Sequence, residues 1–248
     1  LDTIDTSSKR IAIVVIGTGI EFIFALRLIT KFYYLYTGDC KIVFYLFSDR
    51  DAKRFTKPQI NIKHNFFSDS DLTCHTQYKL IDAYKAKLKK YDYIYFINNS
   101  TDIVEPFGDE EFLGDLAAVN YQVLSSTDTV QNYFNNYFWG GSSNNVIKLS
   151  QSILESYNHH KDITHDYNNI DFFNTYCTTN HPTITIPFNN KHFSFLSKGG
   201  FQSTDTVDGD WLRILSFIRM YKGSIFTISQ KEYTWVNMPK SCIRCEQN

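Results

Sequence analysis

Three short runs of almost uninterrupted β-branched and aromatic residues limit what this chain can fold into: RIAIVVIG (Arg10 to Gly17), KIVFYLFSD (Lys41 to Asp49) and YDYIYFI (Tyr91 to Ile97). A run without polar alternation is a strand buried on both faces, the situation of a parallel sheet covered by helices. The intervening residues read as those helices. From Glu21 to about Leu35, Phe22, Ala25, Leu26 and Ile29 share one face; from Asp71 to Lys90, Leu80, Ile81, Tyr84 and Leu88 recur at helical spacing with lysines opposite. Strand, helix and strand within about forty residues make a βαβ unit. The expected fold class is α/β, a central and mostly parallel twisted sheet flanked by helices.

Further along, Tyr133 to Trp139 reads as another aromatic strand, Gly140-Gly141 as a turn, and the following stretch as a helix with Val146, Leu149, Ile153 and Tyr157 on one face, capped by Ser142 or Ser143. His165 to Tyr176 opens a further helix, and beyond Pro182 short strands and loops are expected. The loop-rich stretch from Ser197 to Asp210 is the candidate for a segment facing an acceptor. No repeat and no domain boundary is visible, so residues 10–248 are read as one domain and residues 1–9 as a short leader. With 248 residues, 43% of them hydrophobic and 21% charged, the chain can bury a sizeable core.

A formal net charge of −1 gives no electrostatic reason to expect nucleic acid as a partner. Five cysteines at irregular spacing do not make a disulfide framework, and Cys242-x-x-Cys245 lacks the second pair that a structural zinc needs. Nor do His159, His160 and His165 show metal-ligand spacing. Arg27 and Lys31 interrupt the apolar segment from Ile20 to Tyr36, short of the roughly 18 apolar residues that span a bilayer. A cytoplasmic location, including one in association with a membrane, is therefore expected; a lumenal domain separated from its anchor is the alternative.

Ligands of open parallel sheets bind beyond the carboxyl ends of the strands. The third run ends there in Asn98-Asn99-Ser100, three uncharged polar residues, with Asp102 two residues on. Ile16 to Phe22, IGTGIEF, invites a dinucleotide-binding reading with Asp49 as the acid, but the third glycine is missing.

Four stretches taken together resemble glycosyltransferase family 6, retaining α-1,3-galactosyl and N-acetylgalactosaminyl transferases with the GT-A fold. FYLFSD (Phe44 to Asp49) looks like the family's strand near the uridine. DYIYFINNSTDIVEPFG (Asp92 to Gly108) keeps the frame around the family's Asp-x-Asp. YFNNYFWGGSSNNVIKLSQSI (Tyr133 to Ile153) resembles its aromatic double-glycine strand and following helix, and HDYNNIDFFNTY (His165 to Tyr176) its His-Asp-Glu-Ser stretch. A weaker likeness is MPKSCIR (Met238 to Arg244), where the family places basic residues that reach the diphosphate.

The resemblance implies a transferase that takes a UDP-sugar donor and an oligosaccharide or glycolipid acceptor. The neutral triplet resembles that of bacterial members and implies donor binding without a divalent metal or other cofactor. Amides and a hydroxyl also offset the dehydration of such an ion poorly. Asn98 and Ser100 are then donor contacts, with Lys240 and Arg244 supplying positive charge to the diphosphate. Asn135, Asn136 and Tyr137 match the positions that read the donor sugar, galactose or N-acetylgalactosamine, and Asn174 matches the asparagine of the His-Asp-Glu-Ser-x-x-Asn stretch. The family's glutamate falls on Ile170 or Tyr167, neither of which carries a carboxylate. Asp171 is the nearest one and the candidate for stabilising an oxocarbenium-like transition state; Asp166 is the alternative, and either could instead cap a helix. Trp211 and Trp235 are candidates for stacking on an acceptor sugar. A catalytically inactive module that binds a nucleotide sugar or glycan is the competing expectation.

Overall fold

A computed structural model of the chain describes residues 9–19, 21–52, 59–68, 70, 72–73, 75–99, 101–124, 130–160, 169–195, 226–229 and 232–235. Within the span 10–248 that the sequence suggests as one domain, contacts cluster into two compact units, residues 1–195 and 196–248. Each unit is described by itself.

The first unit begins with the expected βαβ pattern. β1 (Arg10–Ile16), α1 (Glu21–Leu35) and β2 (Lys41–Ser48) are followed by β3 (Ile62–Phe66). Then come α2 (Thr76–Ala83), α3 (Lys85–Leu88), β4 (Tyr93–Ile97) and β5 (Thr101–Ile103). After a 3-10 turn at Asp109–Glu111, β6 (Leu116–Leu124), β7 (Val130–Ser142), α4 (Ser143–His160) and α5 (Asn169–Asn180) lead to β8 (Ile184–Pro187) and β9 (Phe193–Phe195). The main sheet has seven strands in the order β3-β2-β1-β4-β7-β6-β8. β3, β2, β1 and β4 run parallel, as do β6 and β8, while β7 is antiparallel to both β4 and β6. β5 and β9 pair in a separate two-stranded sheet.

Burial on both faces explains the uninterrupted runs. Ile11 to Val15 are at most 1% exposed. Alternate residues feed two layers. Ala12, Val14, Tyr45, Phe47, Ile94 and Phe96 join a core with Ile81 of α2, Leu149 and Ile153 of α4 and Phe173 of α5. On the other face α1 buries Phe22, Ala25, Leu26 and Ile29, as its spacing predicts, and packs Phe32 edge-on against Phe44, Phe107 and Phe112. Of the face expected on α4, Val146, Leu149 and Ile153 are buried, and Tyr157 lies against His75.

Three local expectations differ. Helix over Asp71 to Lys90 reduces to α2 and α3, which break at Tyr84, where ψ is 8°. Tyr84 there sets its ring edge-on to Phe47, and Thr73 turns its N–H to the Thr76 hydroxyl ahead of α2. Gly140-Gly141 is not a turn: it lies inside β7, which continues to Ser142. The glycines answer a close approach of backbones, because a Cβ on Gly140 would lie 2.4 Å from the Ile94 carbonyl oxygen and one on Gly141 2.2 Å from that of Asp115. Ser142 and Ser143, read as caps, donate their hydroxyls to the carbonyls of Asp115 and Tyr91. In the second unit, β10 (Phe226–Ser229) and β11 (Glu232–Trp235) form an antiparallel hairpin.

Two features give direct tests. Gly140→Ala is expected to lower the unfolding free energy by about 1–3 kcal/mol through overpacking, read as a fall in urea midpoint with an unchanged slope. Cys40 and Cys177 are buried and free. Burial, then the Asp109 carboxylate, pushes the Cys40 thiol up to about 11, and burial raises that of Cys177. Since the thiolate is the reactive form, neither is expected to be alkylated by iodoacetamide near neutral pH in the native protein. Both should react in urea, and peptide mapping distinguishes the two outcomes.

Candidate functional site

From β1 the chain builds outward through β2 to β3, then returns to lay β4 on the other side of β1. The connections on either side of this switch point leave in opposite directions and open a crevice at the strands' carboxyl ends, where open α/β sheets bind ligands. Here those ends are Gly17-Thr18-Gly19 after β1 and Asn98-Asn99 after β4.

The β1 side is tightly drawn. Gly17 donates its N–H to the Phe47 carbonyl, and a Cβ on it would lie 2.5 Å from that of Ala25, so α1 starts close against the strand. Gly19 has φ +54°, the left-handed region that glycine adopts freely. Its N–H donates to Asp49 Oδ1 at 3.0 Å, joining the loop to the end of β2. Across the switch point, Asn99 Nδ2 donates to Glu21 Oε2 at 3.0 Å. Glu21 stands in the first turn of α1, where a helix favours negative charge.

The β4 side is shaped by an irregularity in β7. The register against β6 passes from Ala118↔Trp139 to Val119↔Asn135, which leaves Asn136, Tyr137 and Phe138 as an extended β-bulge. Phe138 pairs instead with Ile97 of β4. The Tyr137 carbonyl accepts the Asn98 N–H at 2.7 Å and the Thr101 hydroxyl at 3.3 Å. Asn135, 5% exposed, turns its Oδ1 to the Tyr137 N–H at 2.8 Å. The bulge thus brings Asn135, Asn136 and Tyr137 to the Asn98 corner, although they lie far from it in sequence.

Asn174 Oδ1 accepts the Phe134 N–H at 2.9 Å and ties α5 to β7 just before the bulge. Asp171 occupies the first turn of α5, one turn ahead of Asn174. The Asp171 side chain lies outside the described residues, as do Ser100, Asp166, Trp211, Lys240 and Arg244. Trp235 ends β11 in the second unit, and only its backbone is described.

Asp102, the other carboxylate near the triplet, is engaged by two cations. Arg27 Nη2 and Lys31 Nζ lie 3.0 and 3.1 Å from its Oδ2, so it joins β5 to α1. Sequence reasoning did not find this clamp, nor the Glu21–Asn99 bond, because both depend on which face of α1 meets the segment after β4. It also passed over His75, 1% exposed and directly ahead of α2. The His75 ring centroid lies 3.8 Å from that of Tyr157 near the end of α4 and 6.5 Å from that of Phe172 in the first turn of α5. Its sequence neighbourhood carries no signal of this packing.

Among the described residues no helix is long and apolar enough to cross a membrane. No known family model matches this sequence, and no curated protein sequence matches it.

Proposed function

We propose that this protein is a retaining glycosyltransferase of the GT-A type, which transfers a hexose from a UDP-sugar to a glycan acceptor without a divalent metal. The observation that carries the reading is the uncharged corner at the switch point. Asn98 there is joined through the Tyr137 carbonyl to a bulge that bears Asn136 and follows Asn135. Such a corner offers amide donors and acceptors at the place where this class of sheet binds nucleotides. The carboxylates described around it have protein partners: Glu21 has Asn99, Asp49 has Gly19, and Asp102 has Arg27 and Lys31.

In this reading Asn98 and Ser100 hold the donor, while Asn135, Asn136 and Tyr137 line the sugar. Asn174 keeps α5 on β7, and Asp171 belongs to the first turn of that helix. The bond from the anomeric carbon to the diphosphate breaks, the new bond to the acceptor hydroxyl oxygen forms on the same face, and the hydroxyl proton passes to the departing diphosphate. Positive charge develops at the anomeric centre as the leaving group departs, and a carboxylate there stabilises it. Asp171 serves this role, with Asp166 the alternative. A second reading, a module that binds a nucleotide sugar without turnover, draws on the residues at the family's glutamate position, Ile170 or Tyr167.

UDP release from a panel of UDP-sugars, in excess EDTA and with added manganese, tests the proposal on wild type and Asp171→Asn. Turnover of one donor is expected to survive EDTA and to fall on the order of 100-fold or more in the variant. Calorimetric binding of a UDP-sugar without any release supports the binding module instead. No binding of any UDP-sugar overturns both readings.

A further inference from the structure

We propose that Lys63, Tyr45 and Tyr91 form a binding site for a phosphate group near the amino ends of the parallel strands. The inference is independent of the nucleotide-sugar reading, because the Asn98 corner lies at the opposite, carboxyl end of the same sheet. Tyr45 of β2 and Tyr91, just ahead of β4, are 2% and 7% exposed and stand among apolar core residues. Their rings meet edge-on at 5.8 Å, with the hydroxyl oxygens 3.3 Å apart. Lys63 of β3 pairs with Tyr45 in the sheet and is exposed. Its Nζ lies 2.8 Å from the Tyr91 hydroxyl and 3.3 Å from that of Tyr45, so the cluster meets the surface at Lys63.

Hydrogen bonding in the cluster is unbalanced in one direction. An ammonium group has three protons to donate and a phenol one, while only the phenol oxygens accept. Lys63 donates to both oxygens, and one phenol donates to the other. Whichever phenol is the donor, one ammonium proton and one phenol proton are left without an acceptor among the described residues. Charge is unbalanced as well. Lys31 and Lys85 pair with Asp102 and Asp82, whereas Lys63 has no carboxylate partner among the described residues. The hydrogen bond to Tyr91, ahead of that to Tyr45, raises the pKa of Lys63 and keeps it charged at neutral pH.

Further cations stand at the same end. Arg10 Cζ lies 5.3 Å from the Tyr91 ring centroid and Lys9 Nζ 5.5 Å from that of Tyr93. The neighbouring Asp92 carboxylate accepts the Arg10 backbone N–H at 2.8 Å. Lys41, exposed, is the register partner of Arg10 at the start of β2. A phosphate group complements this arrangement. Its charged oxygens accept from adjacent N–H and O–H donors, and a monoester carries about two negative charges near neutral pH, which answers more than one cation.

Two soluble probes distinguish a free phosphate from a lipid headgroup: inorganic phosphate and short-chain phosphatidic acid. Each is titrated by calorimetry into the full chain, as wild type, Lys63→Gln and Tyr91→Phe. At least one probe is expected to bind wild type, weakened about tenfold or more in Lys63→Gln and about threefold in Tyr91→Phe. Binding of inorganic phosphate assigns the site to a free phosphate, and binding of phosphatidic acid alone assigns it to a headgroup. In tyrosine-labelled wild type, the ring resonances of Tyr45 and Tyr91 should shift as the probe is added, a readout that does not need a variant to fold. Failure of both probes to bind, or binding that leaves those resonances unmoved, overturns the site.

Discussion

Where β7 runs antiparallel against β4, the two backbones come so close that only glycine fits at position 140, and this seam governs both the sheet and its upper edge. It joins the parallel half, β3-β2-β1-β4, to the half containing β6 and β8. The pairing from Tyr93↔Ser142 to Ile97↔Phe138 also fixes where the bulge falls. Because Phe138 is held by Ile97, the residues before it leave β6, and the Tyr137 carbonyl arrives at the Asn98 N–H. Trp139, fully buried within the seam, packs on Phe96, Tyr78 and Phe173 and so carries the same constraint into α2 and α5.

Charge is distributed at this edge so that the carboxylates organise backbone and side chains. Asp49 fixes a glycine N–H, Glu21 orients the Asn99 amide, and Asp102 gathers two cations of α1. Each of these contacts joins a loop at a strand end to a neighbouring element, and together they hold β1, β2, β4 and α1 in fixed relation. At the Asn98 corner lie neutral amides, of which Asn135 is oriented by the Tyr137 N–H and Asn99 by Glu21.

The strands and α1 were legible because each depends on a local pattern that burial imposes: unbroken apolar runs for β1, β2 and β4, and a helical stripe at Phe22, Ala25, Leu26 and Ile29. The placement of Asn98 at a carboxyl end followed from the same pattern. The bulge was not legible, since Asn135, Asn136 and Tyr137 continue an aromatic strand and only the register of β6 shows that three residues are passed over. Gly140-Gly141 was misread because two glycines signal a turn locally, whereas here they relieve contacts with Ile94 and Asp115, which are remote in sequence. The bond of Asn174 to the Phe134 N–H was not legible either, because it depends on how α5 docks.

The Asn98 corner is also a product of long-range closure. Its bonds join residues separated by 36 positions, Thr101 to Tyr137, and by 78, Glu21 to Asn99. Contacts between such distant residues carry the entropy of closing long loops, and topologies rich in them fold slowly. A chain emerging during synthesis can pair β1 with β2 and β4 before β7 exists, but the Tyr137 carbonyl reaches Asn98 only after β7 has been made and inserted. The corner is thus absent from every shorter intermediate, and it forms in the same event that completes the sheet.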